Sequence, residues 1–189
     1  MNPFEYVTVL ISIVLGLGIT QILGGIANII KQYGRITLYW PHSVWVFFVL
    51  LLMIQEWWVT YQLKSFTPWR LPSFLFIMMY PINLFVLARL LFPDRLRVKA
   101  INLRDFYFAN YRRIFLLLML SGLLSILYNL FILNLPLLHQ WPQALLIAVV
   151  AAVTFRKQVP EWVHQALSVC VMLSIVGSII VEWNVWLIE

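Results

Sequence analysis

Residues 4–30 read FEYVTVLISIVLGLGITQILGGIANII, and Glu5 is the only charged side chain among them. A helix needs about 20 mostly apolar residues to cross the hydrocarbon layer of a bilayer, and this stretch is longer than that. No basic segment precedes it, and it lacks a clear cleavage site between small residues. We therefore expect it to remain in the protein as a membrane span and not to act as a cleaved signal peptide.

Five further apolar stretches follow, and together they predict an all-α integral membrane protein, a compact bundle of about six transmembrane helices in one domain, residues 1–189. The predicted spans are residues 4–30, 41–63, 71–92, 113–133, 141–155 and 159–188. Hydrophobic residues make up 63% of the chain and charged residues 11%, so the excess apolar surface must face lipid. The fifth stretch is the shortest. If it re-enters the membrane instead of crossing, five spans remain and the C-terminus changes sides.

The connections between the predicted spans differ sharply in positive charge. The first, third and fifth connections carry eleven of the 13 Lys and Arg residues, and the second carries the other two. The positive-inside rule therefore places the odd-numbered connections in the cytoplasm. Both termini are then on the non-cytoplasmic side, and a plasma (inner) membrane is the simplest location for a compact chain of this kind.

The third connection, residues 93–113, mixes basic residues with apolar and aromatic ones. Such a segment is typical of chain that lies in the headgroup layer, where it contacts anionic lipids. The alternative is that it receives a cytoplasmic or membrane partner protein. The residues predicted to make this contact are Arg95, Arg97, Lys99, Arg104, Arg112 and Arg113.

Small or polar side chains recur at every fourth position in four of the spans. These rows are Thr8, Ser12, Gly16, Thr20, Gly24 and Asn28 in the first span; Ser121, Ser125 and Asn129 in the fourth; Ala144, Ala148 and Ala152 in the fifth; and Ala166, Cys170, Ser174, Ser178 and Glu182 in the sixth. Because helices in lipid pack closely through small residues, the rows predict a core of spans one, four, five and six, with two and three outside. The alternative is that their hydroxyl and amide groups line a polar path.

Glu56, with Gln55 beside it, is the most costly polar residue in the predicted spans. A charge at the centre of a bilayer costs at least about 2.5–3.5 kcal/mol, and the cost falls towards the interface. Glu56 is therefore either a proton or cation site, or an interfacial carboxylate among neighbouring tryptophans. Glu5 and Glu182 share its predicted side of the membrane. The three acids would form a vestibule that attracts cations, or they are unrelated interfacial residues.

Three further residues have two interpretations each. Asn83 follows Pro81 in the third span and either repairs the proline kink or binds a ligand. His42 and His164 lie at the predicted cytoplasmic ends of two spans, where they are either wet polar caps or a pair of haem ligands. The single cysteine, Cys170, is predicted to be a small packing residue.

No hydrolase, kinase, metalloprotease or nucleotide-binding motif is present, so we expect no enzyme activity, metal, cofactor or nucleic-acid partner. The favoured function is an oligomeric channel or transporter for a small ion, with other copies of the chain and a bilayer containing anionic lipids as its partners. The candidate path residues are Glu56, Gln55, Asn83, Glu5, Glu182, Thr20, Asn28 and Asn129. The alternative is a non-catalytic membrane subunit or effector, and a third interpretation is a haem- or quinone-linked redox protein.

Overall fold

The computed structural model describes residues 3–93 and 101–181 of the chain, and these residues form six α-helices. The helices are α1 (Pro3–Lys31), α2 (Trp40–Val59), α3 (Leu71–Leu90), α4 (Leu103–Phe131), α5 (Trp141–Phe155) and α6 (Glu161–Val181). A short 3₁₀ helix, Thr60–Ser65, follows α2, and another, Leu137–Gln140, precedes α5. The strands β1 (Ile36–Thr37) and β2 (Ile101–Asn102) pair in parallel and join the first connection to the third. The predicted residues Arg95, Arg97, Lys99 and Glu182 lie outside the described residues.

Five of the helical segments are long and apolar enough to cross a membrane. They are Pro3–Lys31, Trp40–Ser65, Leu71–Leu90, Leu103–Phe131 and Leu137–Phe155. The all-helical class is therefore confirmed, and its apolar helices are compatible with a protein that crosses a membrane several times. In the described part of the chain, α6 does not belong to this set; its predicted span runs on to residue 188.

Local signals explain where the helices begin. Pro41, Pro72 and Pro142 lie in the first turns of α2, α3 and α5, where a missing backbone N–H costs nothing. The side chain of Asn102 caps α4 by accepting a hydrogen bond from the backbone nitrogen of Arg104 at 3.0 Å. Because of this cap, α4 begins earlier than the predicted span at residues 113–133, and residues 103–113 form its first turns.

The second and third helices lie at the centre of the bundle. α3 packs against α1, α2 and α4, α2 packs also against α1, α4 and α6, and α5 packs on α4. The predicted core of spans one, four, five and six is therefore wrong. The physical reason is that large apolar side chains of α2 and α3, such as Met53 and Leu84, are fully buried and fill the interior.

The first helix packs through a different face from the one that the sequence predicts. Its buried residues are Val7, Ile11, Leu15, Gly18, Ile22 and Gly25. These positions are three or four residues apart, so they form a straight seam along the helix. A side chain at Gly18 would collide with Met53, and one at Gly25 would lie 2.5 Å from the ring of Phe92. Gly18 therefore lets α1 approach α2 and α3 closely, and Gly25 lets it approach the segment that follows α3.

The predicted row of small residues on α1 winds away from this packing face. A four-residue step advances the helix by about 400°, so each member is displaced by about 40° from the last. Thr20 is exposed, and a Cβ atom added at Gly16 or Gly24 would meet nothing within 4 Å. The prediction that Gly16 and Gly24 pack α1 against its neighbours within the chain is therefore wrong; Ser12 and Asn28 are half-buried.

The rows on α5 and α6 also lie largely on exposed faces. The exposed members are Ala144, Ala148, Ala152, Ala166, Cys170 and Ser174, and Ser178 is half-buried. The predictions that Cys170 and Ser174 pack within the chain are thus wrong. The hydroxyls of Ser174 and Ser178 instead donate to carbonyls of their own helix, Val171 O at 2.8 Å and Ile175 O at 2.9 Å. The row on α4 differs, because Ser121 is buried and Ser125 and Asn129 are half-buried.

Candidate functional site

Glu56 lies on the buried side of α2, near the end of the helix. The same face of the helix carries Val49, seven residues before Glu56, Met53, three residues before it, and Thr60, four residues after it. All three are buried. Glu56 itself is half-buried. The adjacent Trp57 is 52% exposed and lies on another face of α2. The carboxylate therefore belongs to the interior side of the helix and not to the exposed tryptophan side.

Two tyrosines from neighbouring helices lie around Glu56. Its carboxylate interacts electrostatically with the hydroxyl of Tyr80 on α3 and with that of Tyr128 on α4. Tyr128 is 8% exposed and Tyr80 is half-buried. One acid and two phenols from three different helices thus share one region of the interior. Sequence reasoning missed both tyrosines, although each lies one helical turn from a polar residue that it selected, Asn83 and Ser125.

Asn83 continues this polar region deeper into the contact between α3 and α4. Its Nδ2 atom donates to Ser121 Oγ at 2.7 Å and to the carbonyl oxygen of Leu117 at 3.0 Å. Both Asn83 and Ser121 are buried. The amide therefore bonds across to α4 instead of repairing the backbone of its own helix beyond Pro81. We call Glu56, Tyr80, Asn83, Ser121 and Tyr128 the polar seam.

The remaining path candidates are dispersed. Asn129 Nδ2 donates to Gln140 Oε1 at 3.2 Å, which ties α4 to the 3₁₀ turn before α5. Thr20 donates its hydroxyl to Gly16 O at 2.7 Å on the exposed side of α1. Glu5 is exposed in the first turn of α1, and Gln55 and Asn28 are half-buried. The vestibule of three acids stays a prediction, because Glu182 is outside the described residues.

A second polar region lies at the opposite end of the bundle, around His42 and His164. Each histidine is 1% exposed, so the interpretation of both as wet polar caps is wrong. His42 Nε2 donates to the carbonyl oxygen of Leu91 at 2.8 Å, which ties α2 to the end of α3. The hydroxyl of Tyr107 and Nδ1 of His164 are 3.0 Å apart and tie α4 to α6. We call His42, Trp45, Tyr107 and His164 the histidine cluster.

Aromatic rings of α4 surround His164. The ring centroids of Tyr107, Phe108, Tyr111 and Phe115 lie 5.5, 5.2, 4.8 and 6.1 Å from that of the imidazole. The ring of Tyr107 also contacts His42, at 6.4 Å. Because one tyrosine ring contacts both imidazoles, protein groups occupy the position that a haem between the two histidines would need.

An ion pair stands beside the histidine cluster. Arg104 Nη2 lies 2.7 Å from Glu161 Oε2, and a second bond joins Arg104 Nε to Glu161 Oε1 at 3.1 Å. The side chain of Arg104 is 50% exposed and that of Glu161 is 35% exposed. Burial of the Tyr39 hydroxyl, together with the Glu161 carboxylate nearby, raises the pKa of Tyr39 to about 12, so this phenol stays protonated at physiological pH.

Eight of the ten basic residues that the structure describes lie at this same end of the bundle, and the other two, Lys64 and Arg70, lie between α2 and α3 at the opposite end. The eight residues, all of them exposed, are Lys31, Arg35, Arg89, Arg104, Arg112, Arg113, Arg156 and Lys157. Two of the arginines predicted to contact lipid have protein partners as well. Arg104 pairs with Glu161, and Arg112 Nη2 donates to the carbonyl oxygen of Arg156 at 3.2 Å. We call the end with these eight residues the basic end.

No protein-family model, characterised protein or solved structure matches the chain. The chemistry of the two polar regions is therefore the basis for a function. The seam offers a carboxyl and two phenol groups in an apolar interior. The histidine cluster offers an imidazole, a phenol and an adjacent carboxylate. All of these groups bind and release protons or interact with cations.

Proposed function

We propose that the protein is an oligomeric, multi-pass protein of the plasma (inner) membrane that conducts or transports a small cation. Five helices with the length and composition of membrane spans support the membrane assignment. The exposed basic residues of the basic end support its placement in the cytoplasm, with both termini on the other side. Anionic lipid headgroups are the natural contact of this surface.

The position of Glu56 carries the proposal. A carboxylate on the interior face of a spanning helix costs free energy, and such residues serve ion pathways, proton relays or ligand sites more often than packing. Tyr80 and Tyr128 bring two hydroxyl oxygens towards the same charge from α3 and α4. In this proposal Glu56 binds the ion, and the two phenols are further polar groups of the seam within electrostatic range of its charge.

Ion flux into liposomes tests this role. The purified protein is reconstituted, and proton, potassium and chloride flux are each measured under an imposed potential. We expect selective cation flux, and a decrease of about 100-fold in Glu56→Gln, which keeps the shape of the side chain but removes its charge. Asp105→Asn is the matched control, because it removes one negative charge from an exposed position in the first turn of α4. Equal flux in Glu56→Gln and the wild type would remove Glu56 from the site.

The alternative function, a membrane subunit that acts through a partner, has one observation in its favour. The small-residue rows of α1, α5 and α6 lie largely on exposed faces, where another helix can approach closely. The hydroxyls of Thr8 and Thr20 donate to carbonyls of α1 itself. Little free energy is therefore lost when a second helix covers these polar groups. In the proposed oligomeric transporter, a second copy of the chain covers this face instead of a different partner protein.

The oligomeric state of a variant with a bulky side chain on this face distinguishes the transporter from the partner-dependent subunit. Gly16→Leu places a bulky side chain on the exposed row, and Val86→Phe places one on the exposed face of α3, outside the rows. We expect Gly16→Leu alone to dissociate a homo-oligomer, as judged by mass measurement in native detergent. A wild-type protein that is monomeric when pure, and that is recovered with a defined membrane partner, would favour the subunit.

A further inference from the structure

The histidine cluster is a buried polar site that the proposed function does not use. Tyr107 is fully buried, and Trp45 and His164 are each 1% exposed. These side chains come from α4, α2 and α6, so the cluster lies where three helices converge. The buried indole N–H of Trp45 interacts with the hydroxyl of Tyr107, so Tyr107 lies between Trp45 and His164.

The surroundings of His164 decide what it can bind. On α4, the rings of Tyr107 and Tyr111 lie against that of His164, and His42 and Tyr39 contact Tyr107 from the side of α2. Arg112 Nε donates to the hydroxyl of Tyr111 at 3.2 Å. The carboxylate of Glu161, one turn earlier on α6, acts electrostatically on His164. The positive charge of Arg104 disfavours a second positive charge on His164. Glu161 balances the charge of Arg104, because its Oε2 atom lies 2.7 Å from Arg104 Nη2.

Two opposing effects act on the protonation of His164. Burial, the larger effect, disfavours the charged imidazolium form, and the carboxylate of Glu161 favours it. The ring is therefore neutral until the pH falls, and it then gains a proton. In the neutral ring, Nδ1 accepts a hydrogen bond from the Tyr107 hydroxyl or donates one to it, depending on the tautomer. Once His164 carries a proton on both nitrogens, Nδ1 donates to the Tyr107 oxygen, and that hydroxyl turns its own proton elsewhere.

We propose that His164 is a proton-binding site at the basic end of the bundle and that, resting on the proposed function, the transported ion is the proton. The step is a reversible protonation: the unprotonated ring nitrogen gains one proton and the ring gains one positive charge. The chemistry of both polar regions supports this substrate. Their carboxyl, phenol and imidazole groups exchange protons, and the histidine cluster does not provide the shell of several oxygen ligands that an alkali cation requires.

The apolar segment between the polar seam and the histidine cluster is a second argument for the proton as the transported ion. On the buried face of α4, Tyr107 and Ser121 are separated by Ile114, Phe115 and Leu118, which are at most 8% exposed. The ring of Phe115 packs on that of Trp45 with centroids 4.9 Å apart. A hydrated alkali ion meets a large barrier in such an apolar, dewetted segment.

Magnetic resonance of protein labelled with ¹⁵N-histidine tests the site without reference to transport. The three histidines, His42, His139 and His164, are assigned by single glutamine substitutions. We expect the ring nitrogens of His164 to change from the neutral to the protonated pattern between about pH 7 and pH 4, because burial disfavours the charged form. Tyr107→Phe, which keeps the ring but removes the hydroxyl, should shift the midpoint of His164 and leave that of the exposed His139 unchanged. Constant His164 signals across this range would overturn the proposal.

Flux measurements then separate the failure of this proposal from that of the proposed function. In liposomes we expect proton flux without potassium flux, lowered about tenfold by His164→Gln and unchanged by His139→Gln. Potassium flux in the wild type would overturn the assignment of the proton as substrate. No flux of any ion, with His164 still titrating, would refute the transporter and leave the proton site standing. If His164→Gln fails to fold, the titration of the wild type and of Tyr107→Phe still decides the question.

Discussion

The polar seam and the histidine cluster hold polar groups in the same bundle in opposite ways. In the cluster, hydrogen bonds join His42 to Leu91 and Tyr107 to His164, and aromatic rings surround His164. In the seam, Glu56 brings a carboxylate into a mostly apolar interior, with two phenols nearby. The cluster therefore stabilises the junction of α2, α4 and α6, whereas the seam contains a carboxylate that lowers the stability of the fold.

The largest expected effect of a substitution is on the packing of the cluster. Phe115 is fully buried and contacts Trp45, Tyr107 and Tyr111. Phe115→Ala should lower the free energy of unfolding by about 3 kcal/mol, because it leaves a cavity among these rings. Reversible unfolding in mixed micelles measures it, with Phe131→Ala, at a 65% exposed position, as the control. Equal losses in the two variants would mean that the cluster adds no stability.

Glu56→Gln provides the contrasting result in the seam. Because a neutral amide is less costly in an apolar interior than a carboxylate, we expect the free energy of unfolding to rise by about 1 kcal/mol. The same variant should lose flux, so stability and activity change in opposite directions. The unfolding measurement is repeated on Asp105→Asn, whose exposed side chain should give no gain. A destabilised Glu56→Gln would show that the carboxylate has a structural role.

The deeper part of the seam should behave like the cluster. Asn83 donates to Ser121 Oγ at 2.7 Å across the contact of α3 and α4. Interhelical hydrogen bonds of this kind contribute about 0.6 kcal/mol on average within membranes, so we expect a coupling of that size between the two residues. A double-mutant cycle of Asn83→Ala and Ser121→Ala measures it. A coupling of zero would mean that this hydrogen bond contributes nothing to the α3–α4 contact.

The helices were predictable from the sequence because the hydropathy of a span is a local property. The first span was expected at residues 4–30 and α1 is Pro3–Lys31; the fifth was expected at 141–155 and α5 is Trp141–Phe155. The packing was not predictable in the same way. Which face of α1 is buried depends on the shapes of Met53 on α2 and of Phe92 just after α3, and the spacing of its own small residues does not contain that information.

The candidate sites were predictable in part, and one error explains much of the rest. Glu56 was selected from the sequence because a charge in an apolar stretch is a local anomaly. The burial of His164 was missed because residues 103–113 were placed in a connection. These residues form the first turns of α4, and Tyr107, Phe108 and Tyr111 among them cover the imidazole. The burial of a residue at the end of one helix thus depended on where another helix begins.

The smallest expected effect concerns the ion pair of Arg104 and Glu161, which stands beside the cluster but is half-exposed. Solvent and salt screen such pairs, so its removal should change stability less than any substitution above. The exchange of the two charges, Arg104→Glu with Glu161→Arg, should recover most of what either single substitution loses. The comparison of unfolding at low and high salt decides between two roles. A loss that disappears in high salt shows a simple surface pair. A loss that persists there shows that the pair positions the first turn of α6, and with it His164, against the rings of α4.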